Sequence, residues 1–236
     1  IVISNAKGSP QMKLDRKHIW LALGKNVMVN NLIVPNPHKT WKDVDPSLPD
    51  VKIEVIGPPP TSGTRDAFVE LAMQGGCKKF DSIKAMKKTD KKAFKKLCHT
   101  VREDGAYIEA GENDNLIIAK LQQNSKAFGI FGYSFLDQNK DKLQGSIVEG
   151  NAPTFENISS GRYPVSRSLY FYIKNAHVGK IPGISEYVAE FTSEKAFGEG
   201  GYLQEKGLIP APADERTEIR SAARSLSTVW LIDFRK

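Results

Sequence analysis

Residues 54–68 read EVIGPPPTSGTRDAF. The run that leads into them, VKIEVIG at residues 51–57, has the length and β-branched content of a buried strand. It stops at Gly57, three prolines stiffen the next turn, and Ser62 then stands where a helix takes its cap. From there to about residue 74, Phe68, Leu71 and Ala72 recur on one helical face. A strand passing through a stiff turn into a helix is the first half of a strand–helix–strand unit, so the stretch points to an α/β architecture. It also carries a chemistry. The first amides of a helix lack intrahelical acceptors and lie at the positive end of its dipole. Ser62 and Thr64 add hydroxyls, Gly63 permits close approach to the backbone, and Arg65 offers a planar fork suited to a tetrahedral oxyanion. An anion site and an ordinary capped helix followed by a surface arginine both fit these residues.

The flanking sequence repeats the alternation of strand and helix. IVIS opens as a strand, Asp15 can cap RKHIWLAL with Gly24 as its stop, and HKTWKDVDPSLPD reads as turns. The lysine-rich stretch after Phe80 divides at Thr89, where Thr-Asp signals a fresh helix start. AYIEA is a short strand, and Asn113 or Asp114 opens the next helix. KAFGIFGYSFL is a strand entering a short helix, and SLYFYIK, at 168–174, alternates as an aromatic strand. Helical or turn-like segments fill the rest. This order predicts an α/β fold with mainly parallel pairing.

The chain has 236 residues, 34 Lys and Arg against 27 Asp and Glu, and a formal net charge of +7. That balance favours acidic partners without choosing among nucleic acid, phosphate, anionic lipid and plain solubility. Lysines 84, 87, 88, 91, 92, 95 and 96 recur at helical spacing opposite Ile83, Met86, Phe94 and Leu97, giving an amphipathic surface with a basic face. A solvated helix face is its plain reading; docking of a polyanion is the functional one. The face has no interleaved aromatics for base stacking, so a specific nucleic-acid site is not expected. The apolar runs are far too short to span a bilayer. Ile1 opens directly on IVIS, with no signal-like segment in front of it, which fits a mature, excised or cytosolic chain.

Enzyme chemistry finds no footing. Ser62 lies in P-T-S-G-T rather than G-x-S-x-G, and the glycines of FGEGGYL complete neither a phosphate-loop nor a dinucleotide pattern. The four histidines are scattered, so no catalytic residue, metal site or cofactor is expected. Cys77 and Cys98 lack zinc-ligand spacing. They either close the lysine-rich loop as a disulfide or remain two buried thiols in a reducing compartment.

TSGTRDAF, GENDNLIIAKLQQNSKAFGIFGYSFL and NISSGRYPVSRSLYFYIK together resemble the periplasmic phosphate-binding proteins of phosphate ABC transporters, the PstS family. The three segments keep the family's order along nearly the whole chain. The resemblance implies a periplasmic-binding-protein type II-like α/β fold, with two lobes joined by a hinge. Residues 1–163 would be the second lobe, nearly complete, and 164–236 the C-terminal part of an incomplete first lobe. It further implies inorganic phosphate held by Ser62, Gly63, Thr64 and Arg65, a periplasmic location, and an inner-membrane ABC permease as partner of an intact relative. Asp66 is expected to orient Arg65, and Asn113 and Asp114 match a turn near the cleft. The family's G-S-S-T-like phosphate loop, and the aspartate that accepts a hydrogen bond from protonated phosphate, have no counterpart here. Phosphate binding is therefore expected to be weakened or lost. The aromatic strand 168–174 is expected to lack partners and either to promote self-association or to be covered by rearranged termini. The alternative function on the same scaffold is an interaction protein that binds polyanions or a protein through the surface from Lys84 to Lys96.

Overall fold

The computed structural model describes residues 1–111 and 113–227, in two compact units, Ile1–Arg167 and Ser168–Lys236. A five-stranded sheet organises the first. Its strands are β1 (Val2–Ala6), β2 (Val55–Gly57), β3 (Tyr107–Glu109), β4 (Phe128–Phe131) and β5 (Leu143–Gly145), in spatial order β3-β2-β4-β1-β5. β2 pairs in parallel with β3, Val55 opposite Tyr107 and Gly57 opposite Glu109, and in parallel with β4, Val55 opposite Phe128. β1 runs the other way, antiparallel to β4, Val2 opposite Phe131, and to β5, Ser4 opposite Gly145. The sheet is thus mixed rather than mainly parallel. The strand–helix–strand units between β2 and β4 impose parallel pairing, while β1 enters ahead of any crossover helix and lies between two later strands. Hydrophobic pattern marks a strand but not its direction. β1 is buried on both faces, as a central strand is.

Two helices cover the part of the sheet that positions the site. α1 (Arg16–Leu23) begins at a capping box formed by Asp15 and His18 and buries Ile19, Trp20 and Leu23. α2 begins at Gly63–Ala67, widens into a π-helical turn over Phe68–Met73 and closes at Gln74–Cys77. Phe68, Ala72 and Met73 are buried, and Leu71 is half-buried. The two helices approach so closely at Gly76 that a Cβ there would stand 1.9 Å from the Arg16 carbonyl oxygen. The obstacle is backbone and cannot swing away. We expect Gly76→Ala to destabilise the protein by about 3 kcal/mol, the upper part of the usual range for overpacked cores, measured by urea denaturation.

α3 (Asp81–Thr89) and α4 (Lys91–His99) follow, separated at Asp90, whose carboxylate caps α4 by accepting from the Ala93 amide at 2.8 Å. Ile83 and Phe94 turn inward and the lysines outward. Cys98 on α4 is disulfide-bonded to Cys77 at the end of α2, with the Cα atoms 5.5 Å apart and both residues fully buried. α5 (Asp114–Gln123) crosses from β3 to β4, and α6 (Tyr133–Gln138) follows β4. The stretch expected to be turns contains a one-turn helix, Trp41–Val44, capped by Thr40 and Asp43, with Trp41 fully buried. Tyr163 and Val165 complete the core.

The second unit packs the helices Ile184–Phe191, Glu194–Phe197 and Ala213–Arg224. Arg216 of the last is buried and paired with Glu194 at 3.1 Å. Residues 168–174 correct the sequence expectation, because they form no strand. Alternation marks a candidate strand, but a ladder makes one, and SLYFYIK joins none among the described residues. Leu169 and Tyr172 are 82% and 76% exposed, while Phe171 packs edge-on against Phe191 at 4.9 Å. The expected alternatives for this segment, self-association or cover by rearranged termini, involve the chain end after residue 227, which lies outside the described residues.

Candidate anion site

β2, β3 and β4 are adjacent, parallel, and each leads into a helix at its carboxyl end. Open α/β sheets place ligands at this edge. Three helix starts meet it: Ser62 caps α2, Asn113 caps α5 and Gly132 precedes α6.

At the first start, the Ser62 hydroxyl accepts from the Thr64 amide at 3.2 Å, and the Asp66 amide is satisfied by the Ser62 carbonyl at 3.1 Å. The amides of Gly63 and Arg65 donate to no protein acceptor among the described residues. A Cβ placed on Gly63 would meet nothing within 4 Å, so the space in front of these donors is open. This is an anion-accepting end of the kind the sequence suggests.

Arg65 is not the surface arginine of the plain reading. Its side chain is 12% exposed and lies over the Tyr107 ring, with Cζ 4.4 Å from the ring centroid. Nη1 donates to the Pro58 carbonyl at 3.1 Å, and the Tyr107 hydroxyl donates to the same oxygen at 2.8 Å. Glu109 stands 3.8 Å from Nη1, which is Coulombic reach rather than a hydrogen bond. No second carbonyl or carboxylate among the described residues is at hydrogen-bond distance from the fork. Burial pushes the Tyr107 hydroxyl up to about 12, so the ring stays neutral beneath the guanidinium. Gly57 makes room for that ring, since a Cβ on Gly57 would fall 2.3 Å from the Tyr107 hydroxyl oxygen.

Asp66 does not orient Arg65. Consecutive residues of a helix point to different sides; Asp66 is exposed, and the orientation comes from Pro58, Tyr107 and Glu109. Asn113 serves as a cap, accepting from the Asn115 amide at 3.0 Å. Asp114 accepts from the Gly132 amide at 3.4 Å, which ties the loop after β3 to the loop after β4. Burial raises its carboxyl above the ordinary range, and the Gly132 amide opposes this. Tyr107 and Glu109, absent from the sequence-based site, had a legible signal. Reading AYIEA as a strand puts residues two apart on one face, so both flank whatever β2 delivers beside them.

A model of the PBP superfamily domain matches residues 1–195. The chain is 30% identical over 188 residues to the phosphate-binding protein PstS of Staphylococcus saprophyticus, covering 78% of this chain and 49% of the relative. It is 31% identical over 182 residues to PstS of Staphylococcus epidermidis, covering 74% and 45%. The chain spans about half the length of these curated relatives. Among solved structures, a candidate phosphate-binding protein of Planctomyces limnophilus superposes with a TM-score of 0.62 at 21% identity, over 96% of this chain and 69% of that one. A candidate phosphate ABC transporter substrate-binding protein of Clostridium perfringens, with phosphate bound, superposes with a TM-score of 0.57 at 21% identity, over 89% and 68%. No helix among the described residues is long and apolar enough to cross a membrane.

Proposed function

Because this chain belongs to the PBP superfamily and has its type II-like α/β fold, we propose that it is the phosphate-holding part of a solute receptor for an ABC phosphate importer. In this reading residues 1–163 are the second lobe of a two-lobed receptor and residues 164–236 the returning part of the first. Phosphate sits on the Gly63 and Arg65 amides, with the Thr64 hydroxyl and the Arg65 guanidinium completing the contacts and Ser62 fixing the turn. Asn113 and Asp114 support the neighbouring loop. The receptor binds and hands on its ligand without chemistry, and its partner is a membrane permease. The Cys77–Cys98 disulfide supports an extracytoplasmic location, where such bridges persist.

One observation carries the proposal: a nearly buried guanidinium, fixed by Pro58 and Tyr107, belongs to the same helix start as two amides that meet no protein acceptor among the described residues. A buried cation with no hydrogen-bonded carboxylate is costly unless an anion joins it. The half-shell of donors also implies weak affinity, because hydrogen bonds that face water have small net worth. Calorimetric titration with phosphate tests the reading, with sulfate at matched ionic strength as the comparison. One saturable site for phosphate supports it, and absence of saturable heat at millimolar ligand counts against it.

The support beneath Arg65 yields a further expectation. Gly57→Ala must displace Tyr107 from the guanidinium, so phosphate affinity should fall at least about tenfold, alongside a destabilisation of about 1–3 kcal/mol. Tyr107→Phe, which keeps the ring but loses its bond to Pro58, should cost only about 1 kcal/mol of stability and leave binding within a few fold. Titration calorimetry and thermal melts of both variants distinguish these outcomes.

A further inference from the structure

The disulfide between Cys77 and Cys98 encloses nine lysines, two aspartates and no arginine. That is a net +7, equal to the formal charge of the entire chain, so the remaining residues balance. The seven lysines from Lys84 to Lys96, on α3 and α4, are all exposed, and none pairs with a carboxylate among the described residues. Lys78, at the root of the loop, has its pKa lowered by burial and by the nearby charges of Lys87 and Arg16.

No hydrogen bond or ion pair among the described residues links this cation cluster to the start of α2. Arg65 and Lys78 are separated by the length of α2, roughly 20 Å at 1.5 Å per residue. That is more than twice the screening length of about 8 Å at physiological ionic strength. Nor does the cluster look like a protein-binding patch. Specific interfaces favour aromatic residues and arginine at their centres and are depleted in lysine. No large apolar side chain is exposed between residues 78 and 97, because Ile83 and Phe94 are buried in the protein's own core. What remains is a surface of point charges on flexible stems, with no large apolar side chain fully exposed among them, closed by a covalent bridge. Lysine suits a diffuse layer of anions that demands no fixed geometry, whereas a shaped acidic pocket favours the arginine fork.

We infer that the lysine face of α3 and α4 docks on the surface of an anionic phospholipid bilayer, peripherally and without insertion. Headgroup layers attract clustered basic residues in this way, each lysine adding to the affinity and the attraction fading within a screening length. The inference stands on the charge distribution alone and does not require that phosphate be bound.

Vesicle co-sedimentation of the oxidised protein tests it, with pure phosphatidylcholine against phosphatidylcholine containing one-third phosphatidylglycerol, at low and high salt. Adsorption is expected only on the anionic vesicles and should fall at least tenfold between 50 and 300 mM salt. Lys88→Gln/Lys91→Gln/Lys95→Gln should lose at least tenfold in affinity, while the corresponding triple Arg variant should retain binding. Circular dichroism melts should show all three proteins folded, since these side chains are exposed. Failure to adsorb on anionic vesicles overturns the inference, as does undiminished adsorption of the Gln variant. Retention on a soluble polyanion such as heparin without vesicle adsorption overturns it too. Arg65→Ala should leave vesicle adsorption unchanged, which keeps this result distinguishable from failure of the phosphate reading.

Discussion

On the proposed reading, Arg65→Ala should remove phosphate binding from a chain that stays folded. Truncating one member of a buried, hydrogen-bonded charge pair commonly costs 2–5 kcal/mol, so the dissociation constant should rise by at least about thirtyfold and leave no measurable site. The loss should be specific because the guanidinium is held on Tyr107 and Pro58 at the same helix start as the Gly63 and Arg65 amides. Arg65→Lys should not rescue it. An ammonium keeps the charge but neither stacks on the ring nor offers two parallel donors. Neutralising Lys88, Lys91 and Lys95 together should change phosphate affinity less than about twofold, since their exposed charges are screened by solvent. Titration calorimetry on the three proteins measures all of this.

Breaking the disulfide should have the second large effect. The bridge joins residues 21 apart in sequence, and closing a loop of that size stabilises by about 3 kcal/mol in the chain-entropy model. For a protein of this size, that corresponds to a fall in Tm of about 6–12 °C. Cys77→Ala/Cys98→Ala also opens a small void in the core, since both residues are fully buried, so the drop should lie toward the larger value. Phosphate affinity should hardly change, because the bridge closes the far end of α2 from Ser62. Scanning calorimetry with and without saturating phosphate separates stability from binding.

The success and failure of the sequence reading have physical causes. Caps and breakers are local, so Asp15, Ser62, Asp90 and Asn113 mark their helix starts within the residue or two that the chain itself specifies. Strand direction is not local. Val2 and Ile3 look the same running either way, and only the position of β1 between β4 and β5 fixes it as antiparallel. The aromatic alternation of residues 168–174 shows the complementary limit, for side-chain pattern alone does not make a strand. At the site, the hydroxyls, the glycine and the arginine of residues 62–65 were visible because they are contiguous. Tyr107, more than forty residues away, was missed, because the strand pattern of AYIEA gives its face but not its neighbour, although it decides whether Arg65 is a surface charge or a fixed fork. Asp66 misled for the opposite reason, since adjacency in sequence is not adjacency on a helix.

The central claim is that the start of α2 is where phosphate rests. Amide ¹⁵N–¹H spectra of labelled protein, recorded through a phosphate titration, address it most directly. Saturable shifts should be largest at Gly63, Thr64 and Arg65, smaller at Asn113 and Gly132, and absent in Arg65→Ala. Shifts confined to the lysine face of residues 84–96, or equal shifts with sulfate that never saturate, would contradict it.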